Sequence, residues 1–128
     1  MGKQYRILIP SKMNPKPSEE EMRVAWILLG HFKEDVAFVE RCNIKTPDFK
    51  ISGRFWELKS PIGNGARTID NILRDATKQS KNIILNLSRC KLPQQQAISK
   101  AKNYLKINHR GIDRVLLVTK SGKIIDIL

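Results

Sequence analysis

The sequence predicts an α/β fold, with a mixed sheet flanked by helices. Three observations support this class: three segments with apolar residues at helical spacing, short β-branched runs between them, and two Ser-Gly dipeptides typical of hairpin turns. The 128 residues are close to the usual size of one domain, and no repeat or long linker divides them. We expect an N-terminal arm over 1–17 and one folded domain over 18–128.

The first element is a helix that follows the proline-rich arm. Ser18 and Glu21 form a capping box, with Ser18 at the N-cap and Glu21 at the third helical position. Apolar residues then recur at helical spacing, which predicts a helix to about Phe32 with Trp26 on its buried stripe.

The middle of the chain predicts three strands and a helix. The strands are expected at 35–41, 49–51 and 55–58, and the Ser52-Gly53 turn joins the last two. A glycine-containing loop follows, and Thr68 then caps a helix whose apolar residues include Ile69 and Leu73.

The last third of the chain continues the alternation. A buried strand is expected at 82–87, a helix beginning near Pro93, a strand at 114–118 and, after the Ser121-Gly122 turn, a final strand within 123–128. Strands that alternate with helices pair in parallel through helical crossovers, whereas hairpins pair antiparallel, so the predicted sheet is mixed.

The charge of the chain is its strongest compositional feature. Lys and Arg number 24 against 12 Asp and Glu, a net charge of +12. Such a charge attracts polyanions and favours nucleic acid as the ligand, although an acidic protein or a solubility role stays open. No apolar run is long enough to span a bilayer and no signal peptide is recognisable, so we expect no membrane association.

The informative segment is the hairpin around Ser52-Gly53. If these two residues form the loop, Phe49 faces Trp56 and Asp48 faces Glu57. Directly opposed residues share a sheet face, with Cβ atoms about 4.5–5.5 Å apart. Lys59, two residues beyond Glu57, lies on that same face because strand side chains alternate. The opposite face carries the apolar residues Phe49, Ile51, Trp56 and Leu58, which supports the register independently.

This arrangement predicts a metal site formed by Asp48 and Glu57. Opposed like charges are destabilising, and a divalent cation between them would reverse that effect. Carboxylate oxygens suit Mg²⁺, with Mn²⁺ as an alternative. The metal would activate water for phosphodiester hydrolysis, and Lys59 would stabilise charge on the phosphate. The alternative is that both acids are solvated strand residues paired with Lys59.

The pattern Pro47-Asp48, followed by Glu57-Leu58-Lys59, resembles the PD-(D/E)xK nuclease signature. The longer string over 46–61, with 67–71 and 78–84, is similar to the C-terminal tRNA-nuclease toxin domains of contact-dependent growth inhibition (CdiA) proteins. The resemblance runs from about residue 20 to the C-terminus. It implies a restriction-endonuclease-like core, so that 18–128 would be a nuclease domain, and a toxin that cleaves tRNA and is neutralised by an immunity protein.

Other residues are candidates for supporting roles. Nucleases of this superfamily often take a further carboxylate from the first helix, so Glu21 is a candidate catalytic residue besides its capping role. Five residues of the helix after the loop are candidates for contacting phosphates of the substrate: Arg67, Thr68, Asn71, Arg74 and Lys78. The alternative for this helix is a solvated face with weak surface ion pairs.

Three other functions stay open. They are a DNA endonuclease with the same site, a non-catalytic nucleic-acid-binding module, and a metal-independent RNase that uses His31 or His109 as a general base. An immunity protein should be acidic, to complement the charge of +12. We expect a monomer that acts in the cytoplasm, either of the producing cell or of a target cell after delivery.

Overall fold

The computed structural model describes residues 4–42 and 46–128, which form one seven-stranded sheet and three helices. The strands are Ile7–Leu8 (β1), Val36–Phe38 (β2), Phe49–Ile51 (β3), Arg54–Lys59 (β4), Asn82–Asn86 (β5), Arg114–Val118 (β6) and Ile124–Asp126 (β7). The helices are Glu19–Phe32 (α1), Thr68–Ala76 (α2) and Gln94–Ile107 (α3). The predicted α/β fold is confirmed, and the nuclease character of its core stays a prediction.

The order of the strands in the sheet is their order in the chain. The pairs β1–β2, β4–β5 and β5–β6 are parallel, and each is connected through a helix. The pairs β2–β3, β3–β4 and β6–β7 are antiparallel and have no helix between them. The sheet is therefore mixed, as the alternation of helices and hairpins predicts.

An apolar core lies on each face of the sheet. Trp56 and Ile84 are buried in the core beneath α1, whereas Ile83 and Leu85 are buried beneath α2 and α3. Successive residues of β5 thus enter opposite cores, which explains the continuous apolar run in its sequence. Cys42 and Cys90 are free thiols. Within the described ranges, no helix is both long and apolar enough to cross a bilayer.

The segment before Ser18 is more ordered than an arm would suggest. Its β1 strand pairs in parallel with β2, and Met13 is buried in the core beneath α1. The sequence gives little sign of this strand, because only two residues of it pair with the sheet.

Two details of the helices differ from the expectations. Trp26 is 61% exposed, because the buried stripe of α1 passes through Val24, Ala25 and Leu28 instead. The N-cap of α2 is Arg67 rather than Thr68, and no side chain caps that helix.

Candidate active site

The hairpin of β3 and β4 has the register that the two-residue loop predicts. Phe49 pairs with Trp56, and the residues nearer the turn follow in order. Ser52 and Gly53 have φ angles of +53° and +76°, the left-handed pair that a tight type I′ turn requires. The backbone N–H of Asp48 donates to the Trp56 carbonyl at 3.0 Å, which carries the pairing to the end that bears the acids.

Asp48 is held in place by backbone and side-chain hydrogen bonds. Its Oδ2 atom accepts a hydrogen bond from the backbone N–H of Leu58 at 2.8 Å, and its carbonyl accepts one from Val39 at 3.0 Å. The carboxylate is thus fixed against β4 beside Glu57, with which it interacts directly.

Glu57 is the buried member of the pair, with an exposed fraction of 4%. Lys59 Nζ lies 3.4 Å from its Oε2 atom. Its Oε1 atom is buried and accepts no N–H hydrogen bond from the part of the chain that the structure describes. The register opposes Glu57 to Ile83 and Lys59 to Leu85, so both side chains lie on the sheet face that α2 and α3 cover.

Burial, together with the hydrogen bond and charge of Asp48, raises the pKa of Glu57 to about 8, against the lowering effect of Lys59. Burial also raises the pKa of Asp48, against hydrogen bonds from Glu57 and the Leu58 N–H that lower it. Two carboxyl groups this close to each other and shielded from water cannot both ionise without penalty, and a bound cation would relieve that penalty.

Glu21 has the capping role that its sequence position predicts. Its Oε1 atom accepts the Ser18 N–H at 2.9 Å, and Arg41 forms an ion pair with its carboxylate at 2.9 Å. These Ser18 and Arg41 contacts outweigh the effect of burial and lower the pKa of Glu21. Its charge in turn raises the pKa of Asp48, so Glu21 lies at the margin of the site. A catalytic role for Glu21 stays a prediction.

Comparisons with known proteins identify the family. The model of the contact-dependent growth inhibition CdiA C-terminal domain matches residues 45–124, more than half of the chain. The chain belongs to this family. It is therefore a toxin domain of contact-dependent growth inhibition, which confirms the resemblance to CdiA C-terminal domains, whereas the tRNA-nuclease activity and the PD-(D/E)xK superfamily stay predictions. No curated protein matches the sequence.

The fold of this CdiA C-terminal domain is also found among solved structures. The CdiA-CT/CdiI toxin and immunity complex from Burkholderia pseudomallei contains a chain that matches with a TM-score of 0.62 and 20% sequence identity. The match covers 96% of this chain and 98% of that chain. At this identity the comparison shows a shared fold.

The donor set of the site suits a cation held by two carboxylates. Among residues 4–42 and 46–128, no cluster of three or more His, Cys, Asp or Glu side chains could hold a metal ion. Glu21 is committed to Arg41, so it adds no free oxygen. Mg²⁺ is usually held by one or two carboxylates together with water and phosphate. The buried Oε1 of Glu57, which has no N–H donor, fits such a ligand.

Of the five residues predicted to contact substrate, Thr68, Asn71 and Arg74 lie in α2, Arg67 comes directly before it and Lys78 two residues after it. Ile69 and Leu73 of this helix are buried, while Arg67, Asn71, Arg74 and Lys78 are exposed. Arg74 and Lys78 both form ion pairs with Asp75, at 3.7 and 3.6 Å. No hydrogen bond or ion pair between described residues joins the five to Asp48, Glu57 or Lys59. Substrate contact through α2 therefore stays a prediction.

The sequence analysis missed a second polar network at the same edge of the sheet. The fully buried Asn86 donates to Glu20 Oε1 at 3.0 Å and lies 3.5 Å from Ser60 Oγ. Glu20 Oε2 in turn forms an ion pair with Arg89 at 2.9 Å. The signal in the sequence that could have revealed this network is Asn86, a polar residue at the end of an apolar strand.

Proposed function

We propose that this CdiA C-terminal domain is a metal-dependent ribonuclease of the PD-(D/E)xK type that cleaves tRNA. The observation that carries the proposal is the pair of interacting carboxyl groups, Asp48 and the buried Glu57, with Lys59 Nζ at 3.4 Å, in a chain of charge +12. Two neighbouring carboxyl groups removed from water destabilise a fold, so a role in chemistry explains them better than packing does.

Each residue of the site has a role in this proposal. Asp48 and Glu57 would hold a divalent cation, Mg²⁺ or Mn²⁺. That cation, when bound, would polarise a phosphoryl oxygen and lower the pKa of a water molecule. Lys59 places a positive charge beside Glu57, where it would stabilise negative charge that develops on the phosphate. The Leu58 N–H keeps Asp48 oriented at 2.8 Å.

RNA is preferred to DNA as substrate because the string over 46–61 resembles tRNA-nuclease toxin domains. The exposed basic residues in and beside α2, which are Arg67, Arg74 and Lys78, would contact phosphates along the path to Lys59. Thr68 and Asn71 would add hydrogen bonds to the sugar-phosphate backbone.

An immunity protein is the proposed partner. The similar solved structure is a toxin and immunity complex. A partner for a chain of charge +12 should be acidic, because complementary charge accelerates association. The toxin itself would act as a monomer in the cytoplasm of a target cell.

The test is cleavage of total tRNA and of duplex DNA in Mg²⁺, in Mn²⁺ and in excess EDTA. Wild type is compared with Glu57→Gln and Lys59→Met. The matched control is Asp126→Asn, which removes a carboxylate from the other Ser-Gly hairpin. We expect discrete tRNA fragments with Mg²⁺ that disappear in EDTA and in both site variants and persist in Asp126→Asn.

Other outcomes would change the assignment in defined ways. Cleavage that persists in Glu57→Gln would show that Glu57 is not part of the active site. Cleavage that persists in EDTA would show that no metal is required and would favour a histidine-based mechanism. Faster cutting of duplex DNA would indicate a DNA endonuclease. Salt-dependent binding of tRNA without cleavage under any ion would indicate a non-catalytic binding module.

A further inference from the structure

The positive charge of the chain is concentrated in one stretch. Residues 76–112 contain eight Lys and Arg residues and no Asp or Glu, so they carry two-thirds of the net charge of +12. The eight are Lys78, Lys81, Arg89, Lys91, Lys100, Lys102, Lys106 and Arg110. Of the eight, only Lys78 and Arg89 form ion pairs within the described parts of the chain. The other charges are available to a ligand.

The helix α3 lies in this stretch and forms one wall of a groove. A cavity of about 280 Å³ lies between α2 and α3, and a second of about 420 Å³ continues along α3. The second cavity is lined by α3 alone and lies open on that helix; because it shares Lys100 and Asn103 with the first, the two together are here called the α2–α3 groove. Its lining residues are Ala66, Asp70, Gln95, Gln96, Ser99, Lys100, Asn103, Tyr104, Ile107 and Asn108.

The α2–α3 groove is connected to the candidate active site. Lys100 Nζ donates to the Ala66 carbonyl at 3.4 Å, and Ala66 ends the loop that follows Lys59. The groove and Lys59 also lie on the same side of the sheet, because α2 and α3 cover the face that carries Lys59. A polynucleotide that reaches the carboxylates could therefore extend into the groove.

The chemistry of the lining suits an unpaired nucleotide. Amide side chains such as Asn103 and Gln96 hydrogen-bond to the edges of bases, and an aromatic ring such as Tyr104 can stack on a base. The Asp70 carboxylate can accept hydrogen bonds from base N–H groups, while Lys100 supplies charge for a phosphate. A small concave site with these groups fits one nucleotide better than the broad surface of a partner protein.

We propose that the α2–α3 groove binds an unpaired nucleotide of the RNA substrate, with a phosphate at Lys100 and a base edge at Asn103. This inference rests on the proposed function, because it takes RNA as the ligand. Unpaired bases in loops and at ends expose their hydrogen-bonding edges, whereas those of a duplex are engaged. The groove thus selects RNA that has single-stranded segments.

The test is equilibrium binding of the full chain to labelled total tRNA in EDTA, across a range of salt concentrations. The variants are Lys100→Gln and Asn103→Ala. Lys120→Gln is the charge-matched control: Lys120 lies in the β6–β7 turn and contacts Arg23 of α1, which covers the opposite face of the sheet. Gln4→Ala is the control for loss of an exposed amide. Poly-L-glutamate serves as a probe for an acidic protein surface.

We expect both variants to weaken tRNA binding and only Lys100→Gln to change its salt dependence. Lys100→Gln should weaken tRNA binding and reduce the slope of log affinity against log salt by about 0.7–0.9, because one phosphate contact is lost. Asn103→Ala should weaken binding about tenfold without changing the slope, because it removes a base contact and no charge. Both controls should bind within about twofold of wild type.

Three results would overturn the inference. The first is wild-type tRNA binding by Asn103→Ala. The second is an equal effect of Lys100→Gln and Lys120→Gln, which would indicate diffuse charge. The third is a parallel loss of poly-L-glutamate and tRNA binding in both groove variants, which would assign the groove to an acidic protein. If one of these three results is found and wild type still cuts tRNA, the groove inference fails and the nuclease proposal stands. If tRNA binds through the groove and is never cut, only the nuclease proposal fails.

Discussion

The two Ser-Gly hairpins of this molecule make an informative comparison. The β3–β4 hairpin carries an oppositely charged pair, Glu57 and Lys59. The β6–β7 hairpin carries another, Asp126 and Arg114, which form an ion pair at 3.0 Å. Glu57 has a side-chain exposure of 6%, whereas that of Asp126 is 57%. The strand β4 is paired on both sides, and β7 is at the edge of the sheet. Similar residues thus acquire different chemistry because their strands occupy different places in the sheet.

The turns of the two hairpins also differ despite the shared dipeptide. Both Ser52 and Gly53 have positive φ angles, whereas in the second turn only Gly122 does, at +86°. In the second turn the Gly122 N–H donates to the Thr119 carbonyl, and the Thr119 N–H donates to the Lys123 carbonyl. The two-residue loop keeps Asp48 next to Glu57, so the first turn supports the site directly.

The largest expected difference between the hairpins is in catalysis. Glu57→Gln should lower the rate of tRNA cleavage by about 100-fold or more, because it removes a charge at the reacting centre. Asp126→Asn should leave the rate within about twofold of wild type. Single-turnover cleavage assays would measure both. Equal cleavage rates for Glu57→Gln and Asp126→Asn would contradict the assignment of the active site to the β3–β4 hairpin.

The apolar sides of the hairpins should differ in their contribution to stability. Trp56 is 1% exposed, and Trp56→Ala should lower the free energy of unfolding by about 3–5 kcal/mol. Ile125 of β7 is only partly buried, so Ile125→Ala should lower it by about 1–2 kcal/mol. Urea denaturation would measure both values. A greater loss for Ile125→Ala would show that the edge hairpin is the more stabilising one.

The pH dependence of stability should follow from the buried pair. The pKa of Glu57 is about 8 in the folded chain against an ordinary value of 4.5. The protonated form therefore stabilises the fold fully below pH 4.5, and this contribution is lost as pH rises through about 8. In EDTA, the unfolding free energy of wild type should decline over that range. The unfolding free energy of Glu57→Gln should decline less over the same range, and that of Asp126→Asn should follow wild type. Urea titrations at a series of pH values would measure all three.

The smallest expected effects concern the turn glycines. Gly53→Ala and Gly122→Ala should each lower the free energy of unfolding by about 1 kcal/mol, because alanine is strained at positive φ. Only Gly53→Ala should also reduce cleavage, since its turn sets the register of Asp48 and Glu57. Thermal denaturation and cleavage assays well below the midpoint would separate the two effects. Reduced cleavage in Gly122→Ala would contradict this reasoning.

The parts of the site that the sequence predicts depend on local patterns. The capping box of Ser18 and Glu21 spans four residues, and the approach of Asp48 to Glu57 follows from a tight turn and strict alternation. Such patterns are determined by backbone geometry that neighbouring residues impose. The hairpin register was therefore predictable, and the structure confirms it.

The parts that the sequence does not predict depend on distant contacts. Glu20 and Asn86 are 66 positions apart, and only the packing of α1 against the sheet brings them together. The exposure of Trp26 depends on how α1 rotates onto the sheet, which is a property of the core rather than of the helix. The pairing of β1 likewise requires a partner strand 29 residues later in the chain.

The agreement between chain order and sheet order has a consequence for how the protein folds. Every strand pairs only with strands adjacent to it in the chain, so no strand has to insert between two that are already paired. The sheet can grow by addition at its edges, with each helix closing a short crossover as it forms. Contacts that are near in sequence favour rapid folding. A denatured chain should therefore recover its structure quickly, without waiting for its two ends to meet.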